Sequence, residues 1–139
     1  MIGIIVSGHG KFASGISAAL ELIMGQQEYY EVIDFPYGDT IHELEINIKQ
    51  TLEKLSDCEN ILAFTDLLSG SPFNVLSMES LKDSKIKVIY GTNLGMLVES
   101  VMKRNIELPF EQIVSEAIEI GKQQIGLFEF IEDNDEFDD

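Results

Sequence analysis

The sequence has little cysteine, few basic residues and no long apolar run. Its one cysteine, Cys58, has no partner for an intramolecular disulfide, which fits a reducing compartment. The chain has 9 Lys and Arg residues against 25 Asp and Glu residues, and its formal net charge of -16 repels nucleic acid and anionic membrane surfaces. The opening apolar run breaks at Ser7-Gly8, too early for a signal peptide or a membrane span. We therefore expect a cytoplasmic protein with no nucleic-acid partner and no membrane insertion, whose partners carry basic patches.

The length and hydrophobic content fit one ordinary domain. With 139 residues, 45% of them hydrophobic, the chain can bury a core without disulfides or metal ions. Six of the acidic residues fall within the last eight positions, and the rest of the chain remains acidic without them. We predict one domain over residues 1–131, followed by an acidic, disordered and solubilising tail at residues 132–139.

Short apolar runs rich in β-branched residues alternate with segments of helical periodicity. Such runs are typical of strands that are buried on both faces of a parallel sheet. The predicted strands cover residues 2–6, 30–35, 60–65 and 85–90. Because a helical segment follows each of them, the chain consists of successive βα units. The pattern predicts an α/β fold with a doubly wound, mainly parallel sheet.

Start and stop signals place the helices. Thr40 and Glu43 have the spacing of a capping box, and Ser71 can cap a helix whose first residue is Pro72. Gly25 stands where a left-handed residue would end the first helix. The helices are predicted to begin at Phe12, Thr40, Ser71 and about Met96, and a fifth covers residues 110–124.

The last apolar segment, residues 126–131, predicts an edge strand. Phe128 and Phe130 alternate with Leu127, Glu129 and Ile131, and the segment comes too late for a fifth βα unit. Two phenylalanines at a sheet edge need a covering surface, which can be the chain's own sheet or a second subunit. We expect an antiparallel edge strand here.

Two loops at the predicted carboxyl ends of the strands contain the residues whose side chains could take part in catalysis or binding. Ligands of doubly wound sheets bind at this edge, where the strand order reverses. His9 stands between Gly8 and Gly10 directly after the first strand, and Asp66 follows the third strand in a loop that ends at Ser71. If these strands are neighbours, Asp66 can fix one ring nitrogen of His9 as a donor and leave the other as a nucleophile or base.

The surroundings of these residues suit a phosphoryl group. Flanking glycines would let a bulky group approach His9, and the N-termini of the helices after His9 and Ser71 would offer N–H groups to an anion. The combination indicates a phosphorylatable histidine. The sequence has neither a Walker loop nor GxGxxG, so no nucleotide cofactor is indicated.

Each candidate residue also has a simpler interpretation. His9 can be a turn residue with its side chain in water, and Asp66 can cap a turn or a helix. Ser71 can serve simply as the start of a helix. His42, within the second helix, is interpreted as a solvated surface histidine, and Cys58 as structural or inert. Two histidines and one cysteine form no compact ligand cluster, so we expect no metal site.

With these residues identified, the chain resembles the enzyme IIA domain of the mannose family of the bacterial sugar phosphotransferase system. Four segments carry the resemblance, at residues 4–10, 32–35, 65–74 and 91–99, and the similarity extends over residues 1–131. It implies the sheet order 2-1-3-4. It also implies a homodimer in which the last strand, from Leu127 to Ile131, is exchanged between subunits.

The resemblance implies a place in a phosphoryl relay. His9 would accept a phosphoryl group from the histidine-containing phosphocarrier protein and pass it to a IIB subunit, which phosphorylates sugar at the membrane transporter. Asp66 would bond the Nδ1 atom of His9 and leave Nε2 to carry the phosphate, with Ser71 as a phosphate contact. Since the sequence ends at the acidic tail, we expect IIB to be a separate polypeptide. The sugar is not encoded here, because a IIA domain does not touch it.

Three other functions remain open at this point. A phosphotransfer subunit of a dihydroxyacetone kinase would share the fold, but we expect Ser-His-Ser there in place of Gly8-His9-Gly10. A non-catalytic α/β module could bind a small anion in the same crevice, and stable binding without phosphate turnover would identify it. An Asp-His hydrolase would need a nucleophile or metal set that the sequence lacks.

Overall fold

The computed structural model describes residues 1–132, which form four strands and five helices. In chain order they are β1 (Ile2–His9), α1 (Phe12–Met24), β2 (Tyr30–Phe35), α2 (Ile41–Lys54), β3 (Asn60–Thr65), α3 (Ser71–Lys82), β4 (Ile86–Ile89), α4 (Leu94–Asn105) and α5 (Phe110–Gln123). Strands and helices alternate until α5, as the sequence pattern predicts. Within residues 1–132, no helix combines the length and the apolar character needed to cross a lipid bilayer.

The four strands form one parallel sheet in the order β2-β1-β3-β4. This confirms the α/β class and the predicted order 2-1-3-4. The central strands, β1 and β3, are almost entirely buried because helices cover both faces of the sheet. Their continuous apolar runs are what such a position requires.

Successive residues of the central strands point to opposite faces and so build two cores. Ile4, Val6 and Phe64 pack in the core beneath α1, α4 and α5. Ile5 and Ala63 pack in the other core, beneath α2 and α3. Phe64 is fully buried, and a side chain of that size contributes roughly 2–3 kcal/mol of transfer free energy. The sheet is therefore held rigidly from both sides, and it carries the strand ends at which the candidate residues lie.

A buried arginine ties α4 to the amino ends of the strands. The Arg104 side chain is 2% exposed, and its guanidinium donates to the carbonyl oxygens of Ile2 at 2.9 Å and Tyr29 at 3.3 Å. A second donor of the same group bonds Asn105 Oδ1 at 3.0 Å. These bonds lie far from the carboxyl edge of the sheet, and the Tyr29 carbonyl oxygen also accepts the Ile4 N–H at 2.8 Å.

Several boundaries differ from the predictions for local physical reasons. β1 extends to His9, because Gly8 and His9 pair with the last two residues of β2. The cap of α3 is Gly70 and not Ser71, which is the first helical residue. α4 begins at Leu94, before the predicted Met96, because the Asn93 side chain accepts the Met96 N–H at 3.1 Å and caps the helix. The capping box of Thr40 and Glu43 is confirmed.

The predicted antiparallel edge strand at residues 126–131 is not part of this sheet. In the single chain, residues 125–132 have no strand structure, and Leu127, Phe128 and Phe130 are exposed. A strand forms only where another strand pairs with it, and none of the four strands within residues 1–132 does so here. Exchange between subunits stays a prediction. Apart from Glu132, the predicted acidic tail lies outside the described residues.

Candidate functional site

The candidate site lies where β1 and β3 end side by side. His9 is the last residue of β1, and Asp66 directly follows Thr65, the last residue of β3. Ser7 is in register with Thr65, so Asp66 extends the pairing opposite Gly8 and its side chain lies next to His9. The expectation that these two strands are neighbours is thus confirmed. The two side chains that the sequence singled out are brought into direct contact.

The Asp66 carboxylate holds His9 at two points. Its Oδ2 atom lies 2.8 Å from His9 Nδ1 and accepts the His9 backbone N–H at 2.9 Å. The other oxygen, Oδ1, accepts the backbone N–H of Leu67 at 2.8 Å. Both oxygens are occupied, so the carboxylate has a fixed orientation.

Electrostatics decide which ring nitrogen of His9 carries the proton. Burial acts to raise the pKa of the Asp66 carboxyl, but the hydrogen bonds from His9 and Leu67 outweigh burial and hold this pKa below its usual 3.8. An ionised carboxylate can only accept a hydrogen bond, so Nδ1 of His9 must donate. The neutral ring then has its lone pair on Nε2. Because the His9 side chain is 42% exposed, a reactant can approach the ring.

The opposite edge of the His9 ring lies against the start of α3. A β-carbon placed on Gly70 would be 2.5 Å from His9 Cε1 and 3.2 Å from Nε2. Nε2 therefore lies beside the N-terminus of α3, where Ser71 is the first helical residue and Pro72 the second. Unpaired N–H groups at such an end favour an anion. Ser71 is thus placed near Nε2, although its predicted phosphate contact stays a prediction.

The glycines on either side of His9 have different structural roles. A β-carbon on Gly8 would be 2.5 Å from a ring carbon of Phe12 and 3.0 Å from Asp66 Cγ, so Gly8 allows close packing and does not open the site. The prediction that both glycines give access is wrong for Gly8. Gly10 has no neighbour within 4 Å of such an atom and has a φ of 58°, which turns the chain away from the sheet.

Two residues beside His9 were missed by sequence reasoning. The Phe35 ring packs edge-on to the His9 ring, with centroids 6.1 Å apart, and Gly70 lies against its other side. Phe35 could have been found from the parallel pairing of β1 with β2, since both strands end at the same edge. For Gly70, the sequence indicated only the start of a helix and no contact with His9.

The other histidine and the cysteine take no part in the site. His42 lies on α2 with 80% of its side chain exposed, 4.0 Å from a Glu45 oxygen, as the sequence interpretation expects. Cys58 is buried, and burial raises the pKa of its thiol, which makes it a poor nucleophile at neutral pH. Among residues 1–132, no three His, Cys, Asp or Glu side chains form a group that could hold a metal ion.

Charge and apolar surface are distributed unevenly around His9. Four exposed apolar side chains lie at the same sheet edge as His9, in the loops after β2 and β3 and at the start of α2: Tyr37, Ile41, Leu67 and Leu68. We call these four residues and His9 the docking face. Five of the nine basic residues lie at the other end of the molecule, in the last turns of helices or just before β4: Lys54, Lys82, Lys85, Lys103 and Arg104.

Comparison with known proteins gives a consistent result. The family model described as "PTS system fructose IIA component" matches residues 3–118. The "PTS system mannose-specific EIIAB component" of Escherichia coli (strain K12) is 32% identical over 124 residues, which are 89% of this chain and 38% of that protein. This chain thus spans less than half the length of that relative.

Two further relatives are similar over nearly their whole length. The "PTS system sorbose-specific EIIA component" of Lacticaseibacillus casei is 30% identical over 120 residues, which are 86% of each protein. The crystal structure of phosphotransferase system component EIIA from Streptococcus agalactiae has a TM-score of 0.82 at 38% identity, covering 91% of this chain and 96% of that one. The fold, the matched residues and these similarities together establish that the chain belongs to the EIIA-man family of phosphotransferase-system IIA components.

Proposed function

We propose that this protein is a phosphohistidine carrier of a sugar phosphotransferase system. His9 accepts a phosphoryl group from the histidine-containing phosphocarrier protein and passes it to a separate IIB subunit. The observation that carries this proposal is the bond of 2.8 Å between Asp66 Oδ2 and His9 Nδ1, which leaves Nε2 accessible beside the N-terminus of α3. Family membership supports the same role.

The transfer step requires only the groups already described. The Nε2 lone pair of His9 attacks phosphorus in line, and a new N–P bond forms as the N–P bond of the donor histidine breaks. The proton on Nδ1 stays in place, so the phosphorylated ring gains positive charge. The ionised Asp66 carboxylate, bonded to that N–H, stabilises the charge as it develops. Transfer to IIB is the same step in reverse.

The incoming phosphoryl oxygens need donors on the far side of the ring. We assign this role to the unpaired N–H groups at the start of α3 and to the Ser71 hydroxyl, which belongs to the first helical residue. Pro72 lacks an N–H, so the first turn has fewer backbone donors than most helices. The Ser71 side chain compensates for that missing donor, and this is the role we assign to it.

The docking face suits two successive, short-lived partners. Apolar side chains at the same sheet edge as His9 provide contact area, and acidic residues border them, at Asp39 and Glu43 among others. Lys11 follows His9 closely, but five of the nine basic residues lie at the opposite end, so this face attracts a partner with a basic surface and speeds its encounter. Both the phosphocarrier and IIB must reach the same Nε2 atom, so they bind in turn.

We also propose that the protein is a homodimer in which the last strand is exchanged. β4 is an edge strand, and beside it lies an apolar cavity of about 260 Å³ lined by Val88, Met96, Ile118 and Ile125 among others. The apolar segment from Leu127 to Ile131 leaves α5 next to this edge and is uncovered in the single chain. Pairing of this segment with β4 of a second copy would cover both surfaces.

The test of the relay is the intact mass of the protein after incubation with phosphoenolpyruvate, enzyme I and the phosphocarrier. We expect one acid-labile phosphate on the wild type and on His42→Ala, and none on His9→Ala. Phosphate retained by His9→Ala would contradict the site. A wild type that takes no phosphate, but binds phosphate stably at His9 by NMR titration, would favour the anion-binding module instead.

A further inference from the structure

The backbone of Gly70 does not require glycine. Its φ of −76° and ψ of 163° are extended values that any residue adopts. Gly10, Gly25, Gly38 and Gly91, in contrast, have positive φ values between 58° and 97°, where glycine is favoured. The reason for a glycine at position 70 must therefore lie in its surroundings.

The space that a side chain would occupy at position 70 is taken by the His9 ring. A β-carbon there would lie 2.5 Å from His9 Cε1, whereas carbon atoms pack at roughly 3.5–4.0 Å. It would also lie 3.2 Å from Nε2, the atom with the free lone pair. The third neighbour, the Leu67 carbonyl oxygen, is at an ordinary 3.5 Å. The conflict is thus with His9 alone.

The His9 ring cannot move aside and keep its bond to Asp66. To clear a β-carbon, Cε1 must move by about 1 Å, and Nδ1 is bonded to Cε1 in the same rigid ring. The Nδ1 to Oδ2 distance is 2.8 Å, and a displacement of that size takes it out of hydrogen-bond range or alignment. The ring is 42% exposed, so it can swing toward solvent without disturbing the core.

We propose that Gly70 is a positioning residue, whose lack of a side chain lets the His9 ring keep its bond to Asp66 with Nε2 beside α3. Asp66 holds one edge of the ring, Phe35 packs edge-on to it, and the bare Cα of Gly70 sets how far the other edge can approach the helix. The kinetic consequence rests on the proposed function, because it concerns a phosphoryl group on Nε2.

The consequence is a loss of alignment without a loss of fold. In-line attack and contact with the N–H groups of α3 both depend on where Nε2 lies, and a misplacement of 1 Å can cost roughly 100-fold in rate. We expect Gly70→Ala to slow phosphorylation of His9 by about this factor. We expect its melting temperature to fall only slightly, because a φ of −76° suits alanine and the one cost to the fold is that alanine is a poorer N-cap than glycine.

The test compares Gly70→Ala with Gly15→Ala. Gly15 lies in α1, where a β-carbon would have no neighbour within 4 Å, so this control replaces a glycine without any contact. Three quantities are measured on each full-length protein: the melting temperature, the ¹⁵N shifts of the His9 ring without phosphate, and the rate of phosphorylation in a single turnover. The ring shifts report which nitrogen carries the proton and require no partner protein.

The outcomes separate this inference from the proposed function. Loss of the fixed Nδ1–H form in Gly70→Ala, with cooperative melting close to that of the wild type, supports the positioning role, and a slower phosphorylation than in Gly15→Ala supports its kinetic part. Wild-type ring shifts and rate in Gly70→Ala overturn the inference. Lower melting with unchanged ring shifts also overturns it, because Gly70 would then serve the fold. A wild type that accepts no phosphate defeats the proposed function, while the ring shifts still decide the role of Gly70.

Discussion

One oxygen atom of Asp66 accepts hydrogen bonds from both the backbone and the side chain of His9. Oδ2 lies 2.9 Å from the His9 amide nitrogen and 2.8 Å from its Nδ1. The ring is therefore fixed relative to its own main chain, which is itself part of the β1 ladder. The orientation of the imidazole follows from strand pairing, and no mobile loop is needed to set it.

Replacement of Asp66 by Asn tests this hold on the ring. An amide has the same shape but no charge, so it stabilises a cationic ring less and does not impose one tautomer. We expect Asp66→Asn to slow phosphoryl acceptance roughly 10- to 100-fold, as is typical when an orienting partner is removed. Initial rates with the phosphocarrier measure this effect. Asp57→Asn, at an exposed position near the amino end of β3, should keep the wild-type rate.

The Asp66 carboxylate should also contribute to the pH dependence of the free energy of unfolding. The folded pKa of Asp66 is below 3.8, so the folded state releases this proton more readily than the unfolded state does. The resulting stability is present above pH 3.8 and is lost as the pH falls through the lower folded value. We expect the difference in unfolding free energy between wild type and Asp66→Asn to shrink below pH 3.8. Urea unfolding at a series of pH values measures it, and a constant difference would contradict the shift.

Charge on the docking face should control how fast the phosphocarrier arrives. Asp39→Lys and Asp57→Lys change the net charge equally, but only Asp39 lies beside the docking face, after β2. We expect Asp39→Lys to slow association several-fold at low ionic strength and Asp57→Lys to change it little. Salt screens such effects, so the two variants should converge near 1 M, where the Debye length is about 3 Å. Equal rates at low salt would argue against steering by this face.

Arg104 should matter for stability and not for transfer. Its removal takes a charged donor from the carbonyl groups of Ile2 and Tyr29, of which Tyr29 keeps the Ile4 N–H, and bonds from a charged donor are worth roughly 1.5–3 kcal/mol each. We expect Arg104→Ala to lower the free energy of unfolding by about 3 kcal/mol. Below its melting temperature the variant should accept phosphate at the wild-type rate. Lys103→Ala, which loses an ion pair to Glu116 and no hydrogen bond to a strand, serves as the control.

Removal of the last strand tests the dimer. Deletion of residues 126–139 should convert the protein to monomers and lower its melting temperature, because the β4 edge and its apolar cavity would be uncovered. Sedimentation and melting at several protein concentrations measure both effects. Deletion of residues 133–139 alone should leave the dimer intact. A long deletion that stays dimeric with unchanged melting would disprove strand exchange.

Local sequence signals predicted the elements well where one interaction dominates. β2 and β3 have the predicted bounds, since their apolar runs are buried in the sheet, and the capping box of Thr40 and Glu43 fixes the start of α2. β1 was predicted too short because its last pairs, Gly8 with Asp34 and His9 with Phe35, depend on another strand. Likewise, the proposed positioning role of Gly70 depends on the ring of His9, 61 positions earlier in the chain, and no local sequence pattern reveals this contact.

Under the proposed function, the open setting of His9 would limit how long a phosphoryl group is stored there. With 42% of the side chain exposed and the ring fixed by a rigid sheet, no part of the site has to close before a partner arrives. Water can approach the same exposed side chain. A phosphoryl group on Nε2 would thus have a lifetime set by competition between hydrolysis and collision with IIB, and the yield of the relay would rise with the cellular concentration of that acceptor.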